Sequence, residues 1–309
     1  MTQLATRQAP ARPTIRAGRP PSRRDRWSRR APLLPALVFA IVVTQLPFLV
    51  TLYLSTQGWN ALRPGAQRFV GLSNYVTVLT DARLRAALVN TVVLTASVVG
   101  VSTLIGLGLA ILLDRRFPGR GIVRTLLITP FLVMPMAAAL LWKHGIYNPA
   151  YGLINGILGG DTDWVSSYPM VAVVVTLVWQ WTPFMMLILL SGLQSQSPEI
   201  LEAARVDGAT GRQTFVLVTL PHLRPYLELG ALLGSIYLVQ TFDAVFTITQ
   251  GGPGTATTNL PYEIYLTTFR KFEYGEAAAA GVVVVIATIA VATFALRVIS
   301  SLFRMEAER

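Results

Sequence analysis

Six mostly apolar stretches, at about 33–54, 88–113, 125–142, 170–190, 227–248 and 277–303, alternate along the chain with shorter polar segments. About 20 apolar residues in a helix cross the hydrocarbon of a bilayer, so the pattern predicts six transmembrane helices. Pro130 and Pro135 interrupt the third, and Arg83 with Arg85 blurs the start of the second. Between the fourth and fifth lies a polar insert, about 195–225, that contains Glu202-Ala203-Ala204-Arg205-Val206-Asp207-Gly208-Ala209 and then Leu220-Pro221. It reads as a helix-turn-helix in water, with Pro198 in a first helical turn, Gly208 in the left-handed turn that ends a short helix, and Pro221 ending the second helix.

Composition agrees with a membrane protein. With 309 residues, mean hydropathy +0.53, 53% hydrophobic and 13% charged residues, the apolar side chains are too many for one water-soluble core. Charge then sets orientation, because short loops rich in Lys and Arg stay cytoplasmic. An inside N-terminus places there nine arginines ahead of the first stretch, then Arg115, Arg116, Arg120 and Arg124, then Arg205, Arg212 and Arg224, and finally Arg297, Arg304 and Arg309. The opposite loops keep only Arg63, Arg68, Arg83, Arg85, Lys143, Arg270 and Lys271, partly offset by Asp161, Asp163, Glu263 and Glu273. Both termini and the Glu202 insert are therefore expected in the cytoplasm. Residues 1–32, with Pro10, Pro13, Pro20 and Pro21 among the arginines, lack apolar periodicity and read as a disordered basic tail. They do not read as a secretory leader, because the first apolar stretch is long enough to span and no small-residue cleavage site follows it. The net charge of +11 is concentrated in this tail and beside the spans, where topology and anionic lipid explain it better than nucleic acid.

Several chemistries are excluded. The chain has no cysteine and two histidines, His144 and His222, so thiol catalysis and thiolate metal sites are out and a zinc site is not expected. Gly251-Gly252-Pro253-Gly254 lacks the Lys-Ser or Lys-Thr of a phosphate loop, and its Pro removes a backbone donor. No cofactor and no ATP site are expected in this chain, and neither an internal repeat nor an inverted half is visible.

Glu202-Ala203-Ala204 with Asp207-Gly208-Ala209, Phe215 and Leu220-Pro221 resembles the EAA loop of binding-protein-dependent ABC importer permeases. Phe69-Val70-Gly71-Leu72-Ser73-Asn74-Tyr75, Asn90-Thr91, Trp179-Gln180-Trp181-Thr182-Pro183-Phe184, Gly192-Leu193-Gln194-Ser195 and Gly251-Gly252-Pro253 extend the resemblance to the carbohydrate-uptake branch, from about residue 33 to the end. The relatives usually have Ile-Pro where Gln196-Ser197 stand here. The resemblance implies an all-α type I importer permease in a bacterial inner membrane. Its partners would be a second homologous permease, a cytoplasmic ATPase dimer that carries the ATP and Mg, and an extracytoplasmic solute-binding protein. Glu202 would be the charged contact of a coupling helix, Ala203 and Ala204 its close-approach residues and Gly208 its turn, with Phe215 and Leu217 anchoring the second helix. Met134-Pro135, Trp142-Lys143-His144, Asn148-Pro149 and Tyr151-Gly152 look most like permeases for sugar alcohols and small carbohydrates.

A hydrated solute needs polar or aromatic groups at membrane depth. Tyr237, Gln240, Asp243 and Thr247 fall on one face if the fifth span is a continuous helix. Asp243 is costly in lipid unless it meets water or a partner, and it either accepts solute hydroxyls or lies near the outer end, snorkelling or paired with the second permease. Of Trp179 and Trp181, which point nearly opposite ways, one is expected to see solute. Gly251-Gly252-Pro253 lies in an outer loop, near the docked binding protein by resemblance or simply a connection by its residue types. A rival reading is a proton-coupled secondary carrier in which Asp243, Glu228 or His144 titrates, and a second rival is a structural scaffold. The first leaves the Glu202 insert without a use, and the second leaves the polar positions in spans four and five without one.

Overall fold

The structure is a computed structural model, and it describes residues 34–307 apart from Pro64 and Ala66. The expected tail at 1–32 lies outside the described residues. The chain divides into two compact units, Met1–Val50 and Thr51–Arg309. Helix α1, Leu34–Ser55, begins in the first and ends in the second. A short hairpin, β1 (Gln57–Gly58) with β2 (Arg68–Phe69), and helix α2 (Ser73–Thr80) follow. Asn74 holds this region, donating from Nδ2 to the carbonyls of Ser55 and Gln57 at 2.8 Å each.

The second span, α3, runs Ala82–Asp114 and starts earlier than the apolar pattern suggests. Asp81 caps it by accepting from the Arg83 N–H at 2.8 Å, which explains how Arg83 and Arg85 enter a helix that then crosses the membrane. Helix α8, Pro169–Gln194, is the fourth span and packs along α3. They approach closely at Gly106, where an added Cβ would stand 2.9 Å from the Met186 nitrogen and 3.0 Å from Met185 Cβ. Leu94, Val98, Leu113, Val173, Met186 and Leu189 are buried in the clusters that surround this pair.

The third span is broken. Helix α4 (Arg120–Leu132) and helix α5 (Pro135–Leu140), which continues as a π-helical turn over Leu141–Ile146, meet at 96°. Pro135 supplies no N–H and restricts Met134 before it, so Val133 and Met134 are extended and the helix restarts with Pro in its first turn. Two short helices, α6 (Leu153–Leu158) and α7 (Trp164–Ser167), lead to α8.

The polar insert forms helix α9, Pro198–Val206, and helix α10, Gly211–Thr214. The expected stop at Pro221 does not occur. From α10 the chain continues through a π-helical turn, Phe215–Thr219, into helix α11, Leu220–Val239, with Pro221 in the first turn of α11. The wide turn there and the tolerance of first-turn positions for a missing N–H let Pro221 sit inside a continuous helical path.

The fifth span also departs from expectation. Helix α11 carries His222, Arg224 and Glu228 in its first turns and ends at Val239; the chain then leaves helical geometry over 240–242 and re-enters it at Asp243, ahead of a π-helical turn at Val245–Thr249. Tyr237, Gln240, Asp243 and Thr247 therefore do not share one helix face. Helix α12, Leu260–Phe269, and helix α13, Tyr274–Ala307, complete the fold. Among the described residues four helices are long and apolar enough to cross a membrane, and a fifth crossing is made if the bent α4–α5 pair counts as one. The six-span expectation thus becomes four unbroken helices, one bent pair, and α11 with its broken continuation.

Candidate functional site

The two interruptions meet. A cavity of about 290 Å³ is lined by Phe131, Val133 and Pro135 from α4, α5 and the break between them, by Leu177, Gln180 and Trp181 from α8, by Tyr237 from the end of α11, and by Gln240, Thr241, Phe242, Asp243 and Ala244 from the break and helical restart that follow it. Backbone without helical pairing is tolerated at membrane depth where it lines a cavity. Gln180 shows how: buried in α8, it donates from Nε2 to the Val133 carbonyl at 3.1 Å, taking up an acceptor that the break leaves outside helical pairing.

One wall is aromatic. Trp181 meets Phe131 with ring centres 5.8 Å apart, Phe184 at 5.5 Å and Tyr237 at 5.8 Å. The other wall offers the amides of Gln180 and Gln240 and the carboxylate of Asp243, the one charged residue of the lining. Among the described residues nothing hydrogen-bonds or pairs with Asp243, so its oxygens are available to whatever enters.

The expected pathway residues separate accordingly. Trp181, Tyr237, Gln240 and Asp243 line the cavity. Trp179 points away and packs edge-to-face on Trp142 at 5.7 Å. Thr247 lies in the following π-helical turn, where its carbonyl accepts from Lys143 Nζ at 2.8 Å. Lys143 thereby joins the π-helical turn of the third span to that of the fifth. Gln180 was visible in its motif but not singled out, and Phe131 and Phe242 gave no sign beyond apolarity.

Gly251, Gly252 and Pro253 open a loop that is fixed by its own polar groups. Thr258 Oγ1 donates to the Gly251 carbonyl at 3.2 Å, and the hydroxyls of Thr249 and Thr257 are 2.6 Å apart. Asn90 donates to the carbonyls of Thr255 and Thr258 at 2.9 and 3.0 Å, and Thr91 Oγ1 accepts from the Leu260 N–H at 2.9 Å. The Asn90-Thr91 pair of α3 thus seats this loop, and Asn259, hydrogen-bonded to the Thr241 carbonyl, ties it to the cavity wall.

At the other end of α8 and α11, the polar insert has a locally determined shape. Gly208 has φ +81°, the Ala209 N–H donates to Ala204 O at 2.9 Å and the Gly208 N–H to Arg205 O at 3.0 Å, the pairing that closes a helix through a left-handed residue. Thr210 and Gln213 then form a reciprocal capping box that starts α10. Ser197 donates to the Glu199 carboxylate and holds it below its ordinary pKa range. Glu202, Ala203 and Asp207 are exposed, as are Ile200 and Val206, at 54% and 87%. Phe215 is half-buried; Leu217 is 69% exposed and does not anchor the second helix within this chain, because it lies on the outer side of the π-helical turn.

Broken spans around a polar cavity, with a rigid helical loop projecting from one end, define a transport permease. The chain belongs to the family described as binding-protein-dependent transport system inner membrane component, which matches residues 102–305. It is 35% identical over 264 residues to a probable ABC transporter permease protein of Sinorhizobium fredii, covering 84% of this chain and 85% of that one. It is 34% identical over 250 residues to the trehalose/maltose transport system permease protein MalF of Thermococcus litoralis, covering 79% and 83%. With the sn-glycerol-3-phosphate transport system permease protein UgpA of Agrobacterium fabrum it shares 31% identity over 274 residues, covering 85% and 91%. The fold matches, at 19% identity and a TM-score of 0.74, a chain of a bacterial alginate ABC transporter solved in complex with alginate pentasaccharide-bound periplasmic protein, covering 88% and 93%. The fold is that of type I ABC importer permeases.

Proposed function

We propose that this chain forms half of the translocation pathway of an ATP-driven importer for an uncharged sugar or sugar alcohol, and does no covalent chemistry itself. The cavity at the meeting of the two broken spans carries this reading. Aromatic rings suit the apolar faces of a sugar, while two amides and a carboxylate suit its hydroxyls. The lining contains Asp243 and no Lys or Arg, which favours a neutral solute over a phosphorylated or uronic one despite the glycerol-phosphate and alginate relatives. The trehalose/maltose relative agrees with that class.

The partners are a second homologous permease, an extracytoplasmic solute-binding protein and a cytoplasmic ATPase dimer with its ATP and Mg. Both termini and α9 face the cytoplasm. Glu202 and the exposed Ile200 and Val206 contact the ATPase; Ala203 and Ala204 allow close approach; Asp207, Gly208 and Ala209 hold the turn. Phe215, Leu220 and Pro221 carry the motion into α11. The loop at Gly251, Gly252 and Pro253 faces the binding protein. Binding of ATP closes the ATPase, α9 moves with it, and the cavity opens to the delivered solute; hydrolysis resets the inward-facing state.

The test is Glu202→Lys in the complex reconstituted with its partners and offered trehalose, maltose and mannitol. The variant inserts and assembles but loses solute-stimulated hydrolysis and uptake, through a like-charge clash at the docking surface. Normal uptake by assembled Glu202→Lys would show that this loop is not the coupling element.

A further inference from the structure

The motif Gly192-Leu193-Gln194-Ser195 has no part in the cavity, yet a polar network at the neck of the insert is built on it. The insert leaves helix α8 at Ser195 and returns to α11 at His222. At that neck Ser195 Oγ donates to the Gly192 carbonyl at 2.8 Å and lies 2.8 Å from the Tyr226 hydroxyl and 3.1 Å from His222 Nε2. A serine hydroxyl has one proton and two acceptor positions. With its proton on Gly192, it accepts from both Tyr226 and His222, and is saturated. This assigns the His222 proton to Nε2, which also stands 3.2 Å from the Gly192 carbonyl. The helices close around the same point, because a Cβ on Gly192 would lie 2.7 Å from the Tyr226 ring and 2.8 Å from Leu223 Cδ2. Glycine is needed there for close approach.

We infer that Ser195, Tyr226 and His222 form a clasp that makes the two roots of the insert one rigid body, so that a displacement of α9 is delivered to α8 and α11 together. These are positioning residues, and the inference rests on the reading that the insert couples to the ATPase. Without the clasp the two roots slide past one another, and part of each displacement is absorbed as bending of the loop. Hydrolysis then continues while transport falls behind it. The quantity that moves is the number of ATP molecules hydrolysed per solute imported, a ratio that a loss of folded complex leaves unchanged.

Ser195→Ala and Tyr226→Phe remove only a hydroxyl each, and Tyr226→Phe keeps the ring packed on Gly192. The experiment measures the ratio in proteoliposomes holding the full complex, its binding protein and trehalose, maltose or mannitol, for both variants, the double variant and Glu202→Lys. Each single variant raises the ratio about fivefold, the scale of one hydrogen bond's net contribution, and the double variant is no worse than Ser195→Ala, because the bond that Tyr226→Phe removes is already lost with the Ser195 hydroxyl. An unchanged ratio in Ser195→Ala and Tyr226→Phe, with uptake lost in Glu202→Lys, overturns the clasp and leaves the coupling reading standing. Additive effects in the double variant also overturn it. Normal uptake in Glu202→Lys overturns the coupling reading and the clasp with it.

Discussion

Asp243 stands where helical backbone restarts after the 240–242 break that follows α11, and it lines the cavity. A carboxylate that accepts hydroxyls is worth more than an amide in the same place by about 1 kcal/mol. Asp243→Asn therefore lowers uptake about fivefold at unchanged assembly, measured as solute-dependent uptake by the reconstituted complex; unchanged uptake of every probe solute would assign Asp243 a structural role. The two tryptophans divide differently. Trp181→Ala removes a ring of the cavity wall and weakens uptake by up to about tenfold, while Trp179→Ala spares the cavity and lowers thermal stability by about 3 kcal/mol through the gap left beside Trp142. The reverse assignment, with Trp179→Ala impairing uptake of a stable complex, would contradict the cavity's geometry. Asp243 and Gln240 were legible in sequence because polar residues are costly at membrane depth, and the tryptophans because their rings suit a sugar face. Which tryptophan faces the cavity was not, since that depends on the rotation of α8 against its neighbours.

Helix α9 and its turn were legible because what shapes them is local: Pro198 in the first turn and Gly208 in the left-handed position. The break in the third span announced itself through Pro130 and Pro135. The break at 240–242 did not. It contains neither Pro nor Gly, and its polar residues fit a 3.6-residue period well enough to pass for a helix face. The π-helical turns at Leu141–Ile146, Phe215–Thr219 and Val245–Thr249 are five or six residues long, too short for their wider period to register. Helix pairing is just as hidden until contacts are known, although it has a sharp consequence at Gly106. Gly106→Val forces α3 from α8 where the backbone of Met186 already sits at the contact limit, and the complex loses about 2 kcal/mol in a thermal melt in detergent. A melt indistinguishable from wild type would mean that α3 and α8 do not approach here.

At the scale of the molecule, the cavity and the polar insert lie at different levels of the same two helices. Helix α8 carries Gln180 and Trp181 to the cavity and Gly192 and Ser195 to the insert; α11 carries His222 and Tyr226 at one end and Tyr237 at the other. A displacement at the insert therefore has a direct helical route to the cavity, which a carrier driven by an ion gradient would not require. The measurement that tests this most directly is uptake into proteoliposomes containing the complex and its binding protein, energised either by enclosed ATP or by a proton gradient alone. The account predicts uptake of an uncharged sugar or sugar alcohol with ATP, abolished by Glu202→Lys, and none with the gradient. Uptake driven by the gradient without ATP, and indifferent to Glu202, would contradict it.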